Sequence, residues 1–219
     1  MDEIVMRVAR TLASFERLKI LSRLAVAGER SPTQLGRELG MSLNSLSGHL
    51  TRLTTAGLIK RRRSGGWAYC VRGSPYGPST LSGMTEAWLR KVLSAPRRAL
   101  KDCGDEEARD LSADKAQTRV HQLVFEAATA FTDLRRLQIA RHLSAGREAN
   151  AEALREKLSM SAWAICRHTN KLIRRGYLSR RSEGRVVFYR LAAEFKTPIH
   201  AKLFEMVRAT WGQKRLRTS

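Results

Sequence analysis

Two clusters of cationic side chains stand out for the chemistry they could perform: Lys60-Arg61-Arg62-Arg63, and Arg180-Arg181 followed by Arg185. Guanidinium and ammonium groups packed this closely bind anions, phosphate above all. Each cluster follows a segment that opens on a serine, Ser42 or Ser161, and carries a histidine, His49 or His168. A serine heading a helix leaves free N–H groups that suit a phosphate. The histidines could be ligands or bases, but each sits beside apolar positions, so a structural or phosphate-contacting role is the simpler reading. Cys166 is the one place for a regulatory thiol, because Arg167 and a nearby helix N-terminus could lower its pKa. A plain small residue there is simpler still.

These residues belong to a stretch that the sequence uses twice. Met41–Tyr69 reads MSLNSLSGHLTRLTTAGLIKRRRSGGWAY, and 119 residues further on Met160–Tyr189 reads MSAWAICRHTNKLIRRGYLSRRSEGRVVFY. Met41/Met160, Ser42/Ser161, His49/His168, Leu53/Leu172, Gly57/Gly176, Arg61/Arg180, Arg62/Arg181 and Gly65/Gly184 coincide at that one offset. The echo extends upstream through Arg17/Arg136, Leu18/Leu137, Ile20/Ile139 and Leu35/Leu154. A repeat of this length is a whole small domain, not a solenoid motif.

With 219 residues, the chain has room for two such domains, each long enough to close a modest core. Forty-one Lys and Arg against twenty Asp and Glu leave a net charge of +21, which points to a polyanionic partner. Anionic membrane is the competing polyanion. No run of 18 apolar residues would span a bilayer, and no basic start followed by an apolar run reads as a secretion signal. Cys70, Cys103 and Cys166 are odd in number and widely spaced, which argues against a disulfide framework or a zinc knuckle. The expected setting is cytoplasmic and nucleoid-associated, with reduced thiols.

The cations are carried by elements that the hydrophobic spacing marks out along the chain. Ile4, Val5, Val8, Leu12 and Phe15 recur at helical spacing and predict an opening helix. Leu18–Leu24 predicts a second, stopped near Gly28. Ser31-Pro32 opens a short third helix that ends at Gly40, and Ser42 caps a fourth with Leu46, Leu50 and Leu53 inward. A short helix, a tight turn and a longer capped helix make a helix-turn-helix. After Gly57, Leu58–Arg63 and Trp67–Arg72 read as two strands about Ser64-Gly65-Gly66. That hairpin makes the unit a winged helix, closed by a helix through Leu81, Trp88 and Val92. The scheme repeats from Val120, with Asn150–Leu158 and Ser161–Arg175 as the motif helices and Leu178–Leu191 as the hairpin. The fold expected is mainly α with small β wings: a winged-helix domain over 1–95, a linker with some helix in it over 96–117, and a second domain over 118–219 ending in a basic tail, Lys214–Arg217. Trp67, Trp88 and Trp211 are expected in core or interface positions.

Arg17-Leu18-Lys19-Ile20-Leu21, Leu35-x3-Leu39-Gly40-Met41-Ser42, Ser47-Gly48-His49-Leu50, Ala56-Gly57-Leu58-Ile59 and a glycine-turned hairpin ending in Tyr69 resemble the ArsR-type winged-helix repressors. The resemblance covers about residues 3–93 and again 120–211. It implies a covalent pseudo-dimer, since the family pairs two subunits through their first and last helices; a homodimer of the chain stays open. Metal sites of that family use Cys or His on the first motif helix or the closing helix. Here the first motif helices, Pro32–Leu39 and Asn150–Leu158, have neither and the closing helices offer only His200, so no metal and no cofactor is expected.

The partner expected is double-stranded DNA, with no membrane. In such folds the second motif helix enters the major groove. The candidate contacts are Ser42, Asn44, Ser47, His49 and Arg52 in the first copy, and Ser161, Trp163, Arg167, His168 and Lys171 in the second, with Lys60, Arg61, Arg62, Arg63, Arg180, Arg181 and Arg185 on the hairpins. The family's Ser-Arg-His run is broken differently in each copy, by Gly48 in one and Cys166 in the other. Two unlike half-sites follow. A transcription regulator, acting as a repressor, is the leading expectation. A plasmid or phage replication or partition protein comes next, and a winged-helix protein–protein scaffold third. Clustered carboxylates, a Ser/His/Asp set and a glycine-rich phosphate loop do not appear, so an enzyme is the least expected class.

Overall fold

The computed structural model describes residues 1–146 and 148–212; the tail Lys214–Arg217 lies outside the described residues. Along the chain run α1 (Asp2–Leu12), α2 (Phe15–Ala27), α3 (Pro32–Leu39), α4 (Leu43–Thr55), β1 (Ile59–Ser64), β2 (Trp67–Arg72), α5 (Leu81–Ser94), α6 (Pro96–Asp102) and α7 (Ala113–Thr129). Then follow α8 (Leu134–Leu143), β3 (Ala149–Asn150), α9 (Ala151–Leu158), α10 (Ala162–Arg174), β4 (Leu178–Glu183), β5 (Val186–Leu191) and α11 (Pro198–Gly212). The molecule is thus mostly helical with small antiparallel sheets. It divides into two compact units: Arg10–Phe125, and Met1–Ala9 together with the chain from Glu126 onward.

In the Arg10–Phe125 unit local chemistry sets the helix ends. Ser14 caps α2, and Ser31 forms a capping box with Gln34 ahead of Pro32 at the head of α3. Gly40 stops α3 in the left-handed region, at φ 63°. Ser42 caps α4, which buries Leu46, Leu50 and Leu53. Arg17 reaches back to the carbonyls of Thr11 and Arg10, each at 2.7 Å, satisfying the end of the preceding helix. β1 and β2 pair antiparallel from Ile59–Arg72 to Ser64–Trp67, about a two-residue Gly65-Gly66 loop in which both φ angles are positive. A single bridge, Arg30–Cys70, adds a third edge.

The same devices recur in the other unit. Asp133, Asn150 and Ser161 cap α8, α9 and α10. Arg136 bonds the carbonyls of Ala130 at 2.7 Å and Thr129 at 3.3 Å, as Arg17 does for its helix. Here the third edge is a true strand, and the sheet order is β3-β5-β4. The core is aromatic: Tyr177 is fully buried, its ring centroid 4.7 Å from that of Phe131 and 6.0 Å from that of Phe204.

One expectation differs from the structure. The opening helix stops at Leu12, and Ile4 lies exposed; residues 1–9 group with the chain from Glu126, where Asp2 pairs with Arg141. The stretch 96–117, expected as a linker with some helix in it, holds α6, a 3₁₀ turn at Glu106–Arg109 and the start of α7. Its mixed charges mask a buried apolar face of Ala99, Leu100, Ala108 and Ala116. The charges themselves are used locally: Arg119 pairs with Asp105 at 2.9 Å, and Arg97 donates to the Leu111 carbonyl at 2.7 Å.

Candidate nucleic-acid interface

The helix with the best claim to read a ligand in each unit is the serine-capped one, α4 or α10. Ser42 accepts from the Ser45 N–H at 3.3 Å, and Ser161 from the Ala164 N–H at 3.2 Å. Both hydroxyls are therefore committed to capping, and what each helix start offers an anion is its remaining backbone N–H groups.

Outward from α4 stand Leu43, Asn44, Ser47, Gly48, Thr51 and Arg52, all exposed. Apart from Leu43 and Arg52 these are small, and a side chain added at Gly48 would meet open space. The face is shallow and nearly neutral. Outward from α10 stand Ala162, Trp163, Cys166, Arg167 and Asn170, also exposed, with Lys171 half-buried. The Arg167 guanidinium lies 5.1 Å from the centre of the Trp163 ring, a cation–π arrangement one helical turn long. Asn170 donates to Cys166 Sγ at 3.3 Å. Burial, followed by the charges of Arg175 and Arg174, lowers the pKa of Lys171. The two helices thus present unlike chemistry: methyl, hydroxyl and amide groups on one, an indole-backed guanidinium on the other.

One sequence-derived contact, His168, needs correction, and a second, His49, is half-buried. His168 is only 2 % exposed and packs inward, its Nδ1 3.8 Å from the Asp133 carboxylate. Burial lowers its pKa, outweighing the opposing pull of Asp133, so it is no cationic contact. His49 is half-buried, and burial followed by the charge of Arg17 lowers its pKa too. His168 thus belongs to the helix packing, while His49 keeps part of its surface exposed.

On the hairpins Lys60, Arg61, Arg63, Arg180 and Arg185 are exposed, and Arg61 lies within 3.4 Å of the Thr51 hydroxyl on α4. Arg62 and Arg181 are also exposed but engaged. Arg62 binds Glu29 at 2.7 Å and lies 5.8 Å from the Tyr69 ring centre. Arg181 binds both oxygens of Glu148, at 2.9 and 3.0 Å, and Glu183 at 2.7 Å, and lies 4.6 Å from the Phe188 ring. The bond to Arg181 holds the Glu148 carboxyl below its usual pKa. Glu29 and Glu148 were not among the sequence candidates, although they stand at the same 119-residue offset as the arginines they hold. Of the core or interface positions expected for Trp67, the core is excluded: it is 68 % exposed at the start of β2. Trp88 and Trp211 are half-buried.

A family model for a helix-turn-helix domain matches residues 12–62, which take in α2, α3, α4 and the first part of β1. No significant match to the chain was found among curated proteins or solved structures. The matched region and the exposed, capped α4 define a helix-turn-helix domain and support a DNA-binding regulator. Among the described residues no helix is long and apolar enough to cross a membrane, and no group of three or more His, Cys, Asp and Glu side chains could hold a metal ion.

Proposed function

We propose that the chain is a sequence-specific double-stranded-DNA-binding transcriptional repressor of ArsR type. Its two copies of the helix-turn-helix and wing stand in for the two subunits of a dimer, and it acts by occupying DNA, without catalysis. The observation that carries this reading is the pairing, twice over at one offset, of an exposed serine-capped helix with an arginine-rich hairpin. A helix of that exposure fits the major groove, and the hairpin cations fit the flanking phosphates. Because α4 and α10 carry different outward side chains, the two halves of the target differ in sequence. The indole-backed Arg167 suits the O6 and N7 acceptors of guanine, while Leu43 and Thr51 suit thymine methyl groups and Asn44 suits adenine.

The test starts from genomic fragments retained by the full chain. The tightest is placed over a promoter, and transcription is measured in vitro with and without the protein. Repression is the expected result. Retention of iterated repeats with no effect on transcription would favour a replication or partition role, and no salt-sensitive retention at all would overturn DNA binding itself.

A further inference from the structure

Trp67 forms the first pair of β2, opposite Ser64, immediately after the Gly65-Gly66 loop, and is 68 % exposed. A single exposed apolar side chain is ordinary on a protein surface. This one is set apart by its surroundings and by its counterpart. In the other hairpin the position at the same offset is Val186, the first residue of β5, opposite Glu183, and it too is exposed, at 42 %. Both hairpins therefore end on an outward apolar side chain.

The paired strand β1 carries Lys60, Arg61, Arg62 and Arg63, of which Arg62 is bound to Glu29. The loop ahead of it consists of two glycines at φ 55° and 79°, where an added side chain would meet nothing. The tip is thus slender, positively charged at its base and apolar at its end. The minor groove is narrow, about 6 Å wide, strongly negative along its walls and lined with sugar and base edges at its floor, and apolar wedges enter it by partly unstacking a base step.

Resting on the DNA-binding reading above, we infer that Trp67 is a DNA-contacting wedge: the tip of the first hairpin enters the minor groove and lays the indole against the sugars and base edges. Val186 makes the same contact more weakly in the other half. Its indole is replaced by a small aliphatic group, and Glu183, held by Arg181, stands opposite it.

The probe is a mixed-sequence duplex with 2-aminopurine spaced through both strands, titrated with the full chain and with Trp67→Ala, Trp67→Phe, Val186→Ala and Arg63→Ala. Trp67→Ala should bind about tenfold more weakly and keep the salt slope of the parent, because no charge is lost. Trp67→Phe should recover most of the affinity, and Val186→Ala should cost about twofold. The parent should raise 2-aminopurine fluorescence by unstacking, Trp67→Ala should not, and netropsin, which fills the minor groove, should compete with the parent more strongly than with Trp67→Ala. Parent affinity retained by Trp67→Ala, with unchanged 2-aminopurine signal, overturns the wedge while leaving DNA binding intact. An indole blue shift on vesicles of anionic phospholipid but not on DNA overturns it in favour of a membrane contact. Absence of salt-sensitive DNA binding by the parent overturns both readings together. Since Trp67 is exposed, circular dichroism of its variants should match the parent.

Discussion

Replacing Arg63 with alanine should weaken DNA binding in a way that replacing its neighbour Arg62 does not. Arg63 is exposed on β1, whereas Arg62 is already bound to the Glu29 carboxylate at 2.7 Å, so that pair presents little net charge to a phosphate. The exposed cations on the reading helices and hairpins, other than the clasped Arg62 and Arg181, are Arg52, Lys60, Arg61, Arg63, Arg167, Arg174, Arg180, Arg185 and Arg190. If about six of them neutralise phosphates, log K falls with log salt at a slope near −5, and a fourfold rise in salt costs about a thousandfold in affinity. Losing Arg63 should flatten that slope by about 0.9, as one phosphate contact does. Losing Arg62 should flatten it by less than half as much. Glu29→Gln should steepen it, since the released guanidinium gains a phosphate. Fluorescence anisotropy of a labelled duplex, titrated at several salt concentrations, reads all three. Equal flattening by Arg62→Ala and Arg63→Ala would refute the clasp as a neutralised pair, and a parent slope shallower than about −2 would refute the count of phosphate contacts.

Other expectations can be checked alongside it. Burial holds His121 and His200 at pKa values of about 4, below the 6.5 of an exposed histidine. The unfolded chain takes up protons near pH 6.5 that the folded chain refuses until about pH 4, so stability should fall as pH drops through that window and level off below it; between pH 7 and 5 the two together should cost about 4 kcal/mol. Urea midpoints measured across that range check this, and a His121→Gln, His200→Gln double variant should show a flatter profile. Ser42→Ala should remove the cap of α4 and cost about 1 kcal/mol in urea unfolding. Leu50→Ala, which empties a fully packed site behind the same helix, should cost about 3 kcal/mol. Gly57→Ala should also destabilise, because φ is 69° there and an added Cβ would lie 2.5 Å from the Tyr76 ring.

Much of this architecture is legible in the residues themselves. The 119-residue echo aligns α4 and its hairpin with α10 and its hairpin, the serines mark the starts of α4 and α10, and a two-glycine loop between β-prone runs marks the first hairpin. His168 was also legible by spacing: it lies three residues after Ile165 and four before Leu172, on the inner face of α10, yet the family pattern draws the eye to it as a contact. Trp67 is the opposite case, since an apolar aromatic reads as core while strand pairing places it at an open tip. The 96–117 stretch hides its buried alanines and Leu100 among charges that pair across a surface, and no composition window separates that from a solvated linker. The grouping of Met1–Ala9 with residues from Glu126 onward depends on contacts far apart in sequence, such as Asp2 with Arg141, which no local pattern encodes. The Glu29–Arg62 and Glu148–Arg181 clasps were within reach, because both members of each pair obey the offset.

Selection of bound sequences from a random duplex library, using the full chain, tests the central claim most directly. The selected site should have two unlike halves, one carrying a guanine whose preference disappears in Arg167→Ala and the other an adenine or thymine preference that disappears in Asn44→Ala. A perfect palindrome, or a library that emerges without enrichment, would contradict the claim.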